Sequence, residues 1–283
     1  MNDNDTASGL VRSMLDGLTE SRDPGENEFL GDDGLIYCQE CGRPVQCRVK
    51  IFGTERIVPC TCRCREEELA REKKRREEEE HRICVQRLKA NGIQDRHLQE
   101  WRFDTAEDTE NIRRAKNYVK NWEKVRANNL GLLLWGNVGT GKSFLAACIA
   151  NALIETGVPV LMTNFSKILN QMGGFYSEER CSYIASFSQF PLLIIDDLGI
   201  ERGTEYALEQ VYAVIDERYK SGLPLIITTN LSIHELHNPE DEAHARIFSR
   251  VLEMCTPVFV DGEDRRKAIG KEKQETVREV LEI

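Results

Sequence analysis

Hydrophobic and polar positions change pattern several times along the chain, and each change predicts a different element. Residues 1–35 are polar and acidic, with the composition of a solvated, disordered arm. Only Leu10, Met14, Leu15 and Leu18 recur there at helical spacing, so a partner-docking helix over 9–18 competes with the arm. Residues 49–58 read as a hairpin around Gly53. The run REEELAREKKRREEEEHRICVQRLK, Arg65–Lys89, combines strong helix formers with opposite charges four residues apart and predicts a solvated helix. Its Lys73–Arg76 cluster suggests a nucleic-acid patch, but Glu77–Glu80 follow at once. Over Asn111–Ala127, Ile112, Ala115, Tyr118, Val119 and Trp122 form one apolar stripe, as in a helix packing on the next domain.

From Leu130 the pattern becomes short apolar runs alternating with helical segments. Leu130–Trp135, Pro191–Asp197 and Pro224–Asn230 predict buried strands, and Phe144–Ile154 an amphipathic helix stopping near Gly157. Such alternation predicts an α/β fold with a parallel sheet flanked by helices. The expected organisation is an acidic arm (1–35), a small cysteine-bearing domain (36–66), a charged helix (67–90), connector helices (91–128), the α/β domain (129–270) and a C-terminal helix (271–283).

Composition changes that picture in one respect. Among 283 residues, 48 acids against 38 bases give a net charge of −10, which excludes a protein that coats DNA through bulk positive charge. The acidity is uneven: residues 1–37 hold nine acids and two bases, so seven of the ten units lie there. The remainder is close to neutral, leaving room for a shallow DNA contact strengthened by several aligned subunits. No apolar run reaches the roughly 18 residues of a membrane span, and MNDNDTASGLV lacks the pattern of a secretory signal, so the expected location is cytoplasmic.

Six of ten cysteines fall between residues 38 and 64. In a reducing compartment, a structural zinc site is the expected use. Cys38-Gln-Glu-Cys41-Gly42 has knuckle spacing, and the hairpin would return Cys60-Thr-Cys62-Arg-Cys64 to it. Cys38, Cys41, Cys62 and Cys64 are the expected Zn²⁺ ligands, with Cys60 as the substitute. A redox C-x-x-C and unligated thiols are the alternatives. Cys84, Cys148, Cys181 and Cys255 are scattered and read as small hydrophobes.

The strand at Leu130–Trp135 runs into Gly136-Asn137-Val138-Gly139-Thr140-Gly141-Lys142-Ser143, a full phosphate-binding loop followed by a helix. Its glycines let backbone N–H groups wrap phosphates at a helix N-terminus, Lys142 reaches the β- and γ-phosphates of ATP, and Ser143 ligates Mg²⁺. The second strand ends in Asp196 and Asp197, where a Walker B motif holds Mg²⁺ through its first acid and polarises water with its second. Asp197 as a mere helix cap is the competing reading. Asn230, ending the third strand, would face the γ-phosphate, with Thr229 a weaker candidate.

Together GNVGTGKS, LLIIDDLG, ERYKSGLPLIITTN and ARIFSRVLE resemble the AAA+ ATPases of the bacterial helicase-loader branch, the DnaC-like and DnaI-like proteins, with IstB-type transposition ATPases as close relatives. The resemblance covers about residues 91–270. It implies sensor 1 at Asn230 and an arginine finger, acting on the neighbouring subunit's nucleotide, in the Arg246–Arg250 box. Arg250 is the expected finger and Arg246 its support; a surface pair bridging to Glu242 or Glu253 is the alternative. Arg265 and Arg266 are weaker candidates for a basic contact in cis. Asp197 stands where many AAA+ proteins have Glu, and its shorter reach implies slow hydrolysis suited to a switch.

The resemblance also implies a replicative DNA helicase bound through the N-terminal region, and single-stranded DNA met by the element within Asn164–Phe190. Lys167, Phe175, Tyr176, Arg180, Tyr183 and Phe187 supply the aromatics and cations such a contact uses, against core packing as the alternative. The competing functions are a transposition helper, a small-molecule P-loop kinase and a nucleotide-binding zinc adaptor.

Overall fold

In the computed structural model, residues 22–51, 53–199, 204–262 and 264–281 are described. The proposed helix over 9–18 lies outside them. The chain divides into two units, residues 1–80 and 81–283.

In the first unit, β1 (Glu28–Leu30) pairs antiparallel with β2 (Ile36–Cys38), and β3 (Gln46–Ile51) with β4 (Thr54–Pro59). The second pair is the expected hairpin, closed through Gly53 at φ 82°. Residues 28–35, assigned by composition to the arm, instead build the first pair, because Phe29 stacks on Tyr37 across it. The buried core consists of Ile36 and Val45 with Cys38 and Cys62. Helix α1 (Arg63–Gly92) begins two residues earlier than its charge pattern suggests, so Cys64 sits in its first turn. Pairs such as Arg63–Glu67 and Arg76–Glu80, both at 2.8 Å, line its exposed surface as the spacing requires.

In the second unit come α2 (Arg96–Gln99), α3 (Glu110–Lys120) and α4 (Trp122–Ala127). The single helix expected over 111–127 is therefore broken. At Asn121 the backbone leaves helical geometry, and its side chain caps the Asn117 carbonyl at 2.8 Å. The predicted stripe holds: Ile112, Ala115, Tyr118 and Trp122 are buried.

The remaining elements are β5 (Gly131–Trp135), α5 (Lys142–Glu155), β6 (Val160–Asn164), α6 (Phe165–Met172), α7 (Ser177–Ser186) and β7 (Leu192–Leu198), then α8 (Glu205–Ser221), β8 (Leu225–Thr229), α9 (Ile233–His237), α10 (Glu242–Met254), β9 (Cys255–Phe259) and α11 (Arg265–Leu281). The five strands β5–β9 form one parallel sheet in the order β6-β7-β8-β5-β9. Its strands alternate between two cores. Leu133, Leu193, Ile195 and Ile227 face a core with residues of α6, α8 and α10, whereas Leu134, Leu192, Ile194 and Ile226 face one with residues of α3 and α5.

Helix α5 is not amphipathic, contrary to its expected pattern. Leu145, Ala146, Ala147, Ile149, Ala150, Leu153 and Ile154 are buried around its circumference, since α3 covers the side the sheet does not. Buried Asn151 donates to the carbonyls of Leu98 and Trp101 at 2.7 and 3.1 Å, tying the connector to α5. Connector and sheet thus belong to one unit, and α11 starts at Arg265 rather than 271.

Arg218 of α8 is 1% exposed. Its guanidinium donates to the carbonyls of Phe190, Pro191 and Pro224 at 2.9, 3.0 and 3.1 Å, pinning the entries to β7 and β8. Burial draws its pKa down to about 10.

Candidate nucleotide site and cysteine cluster

The strand order places β8 between β5, which feeds the phosphate loop, and β7, which carries the two aspartates. Ligands of open parallel sheets sit at this carboxyl edge. Gly136, Gly139 and Gly141 of the loop have φ of 148°, 85° and 97°, which side chains rarely tolerate. At Gly139 the space is also filled: a Cβ there would lie 1.9 Å from Oδ1 of Asp264. Lys142 is 5% exposed, and its ammonium donates to the carbonyls of Gly136 and Asn137 at 2.9 and 2.7 Å. The lysine thereby braces the loop around which it would bind phosphate. Thr140 Oγ1 donates to the Asn137 carbonyl at 3.0 Å, Val138 is exposed, and Ser143 opens the helix beside Lys142.

Asp196 and Asp197 lie just before the end of β7, at a bulge where its register against β8 shifts. Asp197 has φ 59°, unusual for any residue but glycine and tolerated best by Asp and Asn. The helix-cap reading of Asp197 fails, because α8 begins only at Glu205 and is capped by Thr204. Thr228, fully buried, links the two acids: its hydroxyl donates to Asp196 Oδ1 at 2.6 Å and accepts the Asp197 N–H at 2.9 Å. Sequence reasoning missed it, since a threonine inside an apolar run reads as a strand former. Thr229 is no ligand candidate: its hydroxyl donates to the Leu198 carbonyl and accepts from Leu231 N–H. Asn230 is exposed directly after β8, at the edge between loop and aspartates.

Next to the loop lies a cavity of about 390 Å³. Ile112, Phe144, Leu145 and Val260 give it apolar walls, and Thr140 and Gly141 connect it to the loop. No sequence pattern marked it, because its walls come from α3, α5 and the segment after β9.

Arg246 pairs with Glu242 at 2.6 Å on the exposed face of α10. Arg250 does not reach Glu253, which Tyr219 takes at 2.9 Å; it pairs with Asp216 of α8 at 2.5 Å. In the 164–190 segment, Phe187 is buried, Tyr183 packs edge to face on it and Phe175 edge to face on Tyr183, so those three serve the core. Lys167 pairs with Asp95 at 2.9 Å. Tyr176 is 83% exposed, whereas Arg180 is half-buried and donates to the Tyr206 hydroxyl at 3.4 Å. Of Arg265 and Arg266 only the backbone is described.

In the first unit the thiols of Cys38, Cys41 and Cys62 lie within 4.8 Å of one another, and Cys64 faces Cys41. The knuckle turn makes this possible: Gly42, at φ 65°, donates to the Cys38 carbonyl at 2.9 Å. The Arg43 N–H draws the Cys41 thiol down to about 6, while the neighbouring Cys41 sulfur pushes Cys64 up to about 12. Cys60 instead points its thiol at the Pro44 carbonyl, 3.4 Å away. Three clustered thiols, with Cys64 beside Cys41, are compatible with a zinc site.

Comparison with known proteins fits this geometry. The IstB-like ATP binding protein family matches residues 63–274. The chain belongs to that family. It is 31% identical over 150 residues to the replicative helicase loader DnaI of Bacillus subtilis, covering 48% of this chain and 47% of that one. It is 26% identical over 155 residues to the replicative helicase loader DnaC of Escherichia coli, covering 52% and 61%. The chain thus spans about half the length of the curated relatives it matches. A crystal structure of DnaI is similar with a TM-score of 0.49 at 23% identity, covering 60% of this chain and 93% of that one. The family's ATP-binding description agrees with a phosphate loop at the carboxyl edge of a parallel sheet. Among the described residues no helix is long and apolar enough to cross a membrane.

Proposed function

We propose that the chain binds ATP with Mg²⁺, hydrolyses it slowly, and loads a replicative DNA helicase onto single-stranded DNA in the cytoplasm. The carrying observation is the strand order, which sets Asn230 between the phosphate loop and the Asp196–Asp197 edge. The loader half of the proposal is supported by likeness to two proteins named helicase loaders.

In this reading residues 136–143 cradle the phosphates, and Lys142 exchanges its loop carbonyls for phosphate oxygens. Ser143 and Asp196 hold Mg²⁺, which supplies neutralisation of phosphate charge. Asp197 orients the attacking water and Asn230 senses the γ-phosphate. The base occupies the 390 Å³ cavity. Arg250 of a neighbouring copy, supported by Arg246, stabilises the transition state in a homo-oligomer. Tyr176 and Arg180 meet single-stranded DNA, and the first unit meets the helicase.

Thr228→Val keeps the shape of the side chain but removes the hydroxyl that joins the two acids. ATP turnover is expected to fall about 10- to 100-fold, as for partners that orient metal ligands, and steady-state ATPase kinetics check this.

Zn²⁺ is assigned to Cys38, Cys41, Cys62 and Cys64. Metal analysis of protein prepared without chelator should find one zinc per chain, and Cys38→Ser or Cys62→Ser should lose it. Cys60→Ser should retain it; absence of zinc from the unaltered protein overturns the assignment.

The loader reading is tested by unwinding of an oligonucleotide annealed to a single-stranded circle. The chain with ATP should stimulate the helicase, and no stimulation rejects the reading. The family's IstB-like description favours a second reading, a transposition helper. It predicts ATP-dependent assembly on duplex DNA without helicase stimulation.

A further inference from the structure

The surroundings of Arg250 are more specific than those of an ordinary surface arginine. Tyr212, Asp216 and Tyr219 lie four and three residues apart on α8, hence on one face of that helix. Arg250 enters this face from α10. Its guanidinium lies 4.5 Å from the Tyr212 ring centre and 5.6 Å from that of Tyr219, while Nη1 meets Asp216 Oδ1 at 2.5 Å. The second carboxylate oxygen, Oδ2, takes Lys220 at 2.7 Å. Asp216 therefore serves two cations, and the net charge of the trio stays at +1.

Arg246, one turn earlier, shows the contrast. Its side chain is 66% exposed and held only by an i,i+4 partner, whereas the Arg250 side chain is 27% exposed and held by a charge and two rings. Buried Nη1 meets Asp216 as an ion pair without a directed hydrogen bond, so the carboxylate and the two rings together fix where the planar guanidinium lies. A group that must meet charge developing on a neighbouring molecule gains most when its direction is set beforehand.

We infer that Asp216, with Tyr212 and Tyr219, is a positioning clamp that aims Arg250 at the nucleotide of an adjoining copy of the chain. This rests on the in-trans role proposed for Arg250. Asp216 touches no nucleotide; it acts through the arginine, and only for the subunit that lends it.

Mixed-subunit ATPase assays test this. Asp197→Asn supplies subunits that keep Arg250 but cannot orient water; Asn fits the φ of 59° at that position. Arg250→Ala supplies subunits with an intact site and no finger, and mixing the two should restore turnover. Adding Asp216→Ala to the Asp197→Asn subunit should then lower the restored turnover by about 10- to 100-fold. Adding it to the Arg250→Ala subunit should leave turnover within about twofold, and Asp216→Glu in the lending subunit should recover part of the loss. Equal losses from both placements, or none from either, overturn the clamp while leaving the finger intact. Failure of the parent pair to complement overturns the in-trans role, and the clamp with it. Unchanged thermal melting of the Asp216→Ala chain separates the effect from misfolding.

Discussion

Lys142→Ala is expected to weaken ATP binding by about a hundredfold or more, from the loss of charge-assisted hydrogen bonds worth roughly 1.5–3 kcal/mol each. The same amine holds the carbonyls of Gly136 and Asn137, so its loss acts twice. It removes the cation that phosphate requires, and it leaves two loop carbonyls without their donor before any nucleotide arrives. Titration with a fluorescent ATP analogue checks the affinity. Unaltered affinity would remove the phosphate loop from the account.

Arg218→Leu is expected to destabilise the second unit by about 3–5 kcal/mol, since three carbonyls lose a charged donor at roughly 1–3 kcal/mol each. The carbonyls of Phe190, Pro191 and Pro224 would lose their donor in a site where water does not compensate. Arg218→Lys should recover only part, because an ammonium cannot span carbonyls that a planar guanidinium bridges. Urea unfolding followed by circular dichroism reads the difference. A shift below about 1 kcal/mol, the size of a surface substitution, would contradict the role.

Residues 136–143, Asp196–Asp197 and Asn230 stand out in the sequence as candidates, because phosphate and metal chemistry demand particular residue types at particular spacing, and the strand order brings the segments that carry them to one sheet edge. The strands carrying them were legible from short apolar runs, and their ends shifted by one residue in the structure. Partners supplied by distant segments were not legible. Arg218 sits in ERYKSG, where it reads as one more surface charge, and Asp216 in the same helix reads as an i,i+4 partner for Lys220. Their roles exist only once α8 packs on the sheet and α10 packs on α8. Helix α5 was misjudged for a related reason: its small alanines look like a weak polar face until α3 covers them. The cysteine set was legible in kind, since knuckle spacing and a returning hairpin are local. What the sequence left open between Cys60, Cys62 and Cys64 depends on three-dimensional placement: Cys62 joins Cys38 and Cys41, Cys64 lies beside Cys41, and Cys60 turns to Pro44.

The arm's charge was also legible as a matter of position. Seven of ten negative units precede residue 38, so residues 38–283 carry a net charge of only −3, which is compatible with the weak DNA contact proposed above. Weak contacts multiplied across an ATP-ordered assembly suit a loader better than a coat.

The central claim, an ATP-switched escort for a replicative helicase, is tested most directly by size-exclusion chromatography with light scattering of the chain mixed with its cognate helicase. The account predicts a complex with ATP and Mg²⁺ that is lost with Lys142→Ala. Separate elution of chain and helicase in the presence of ATP would contradict it.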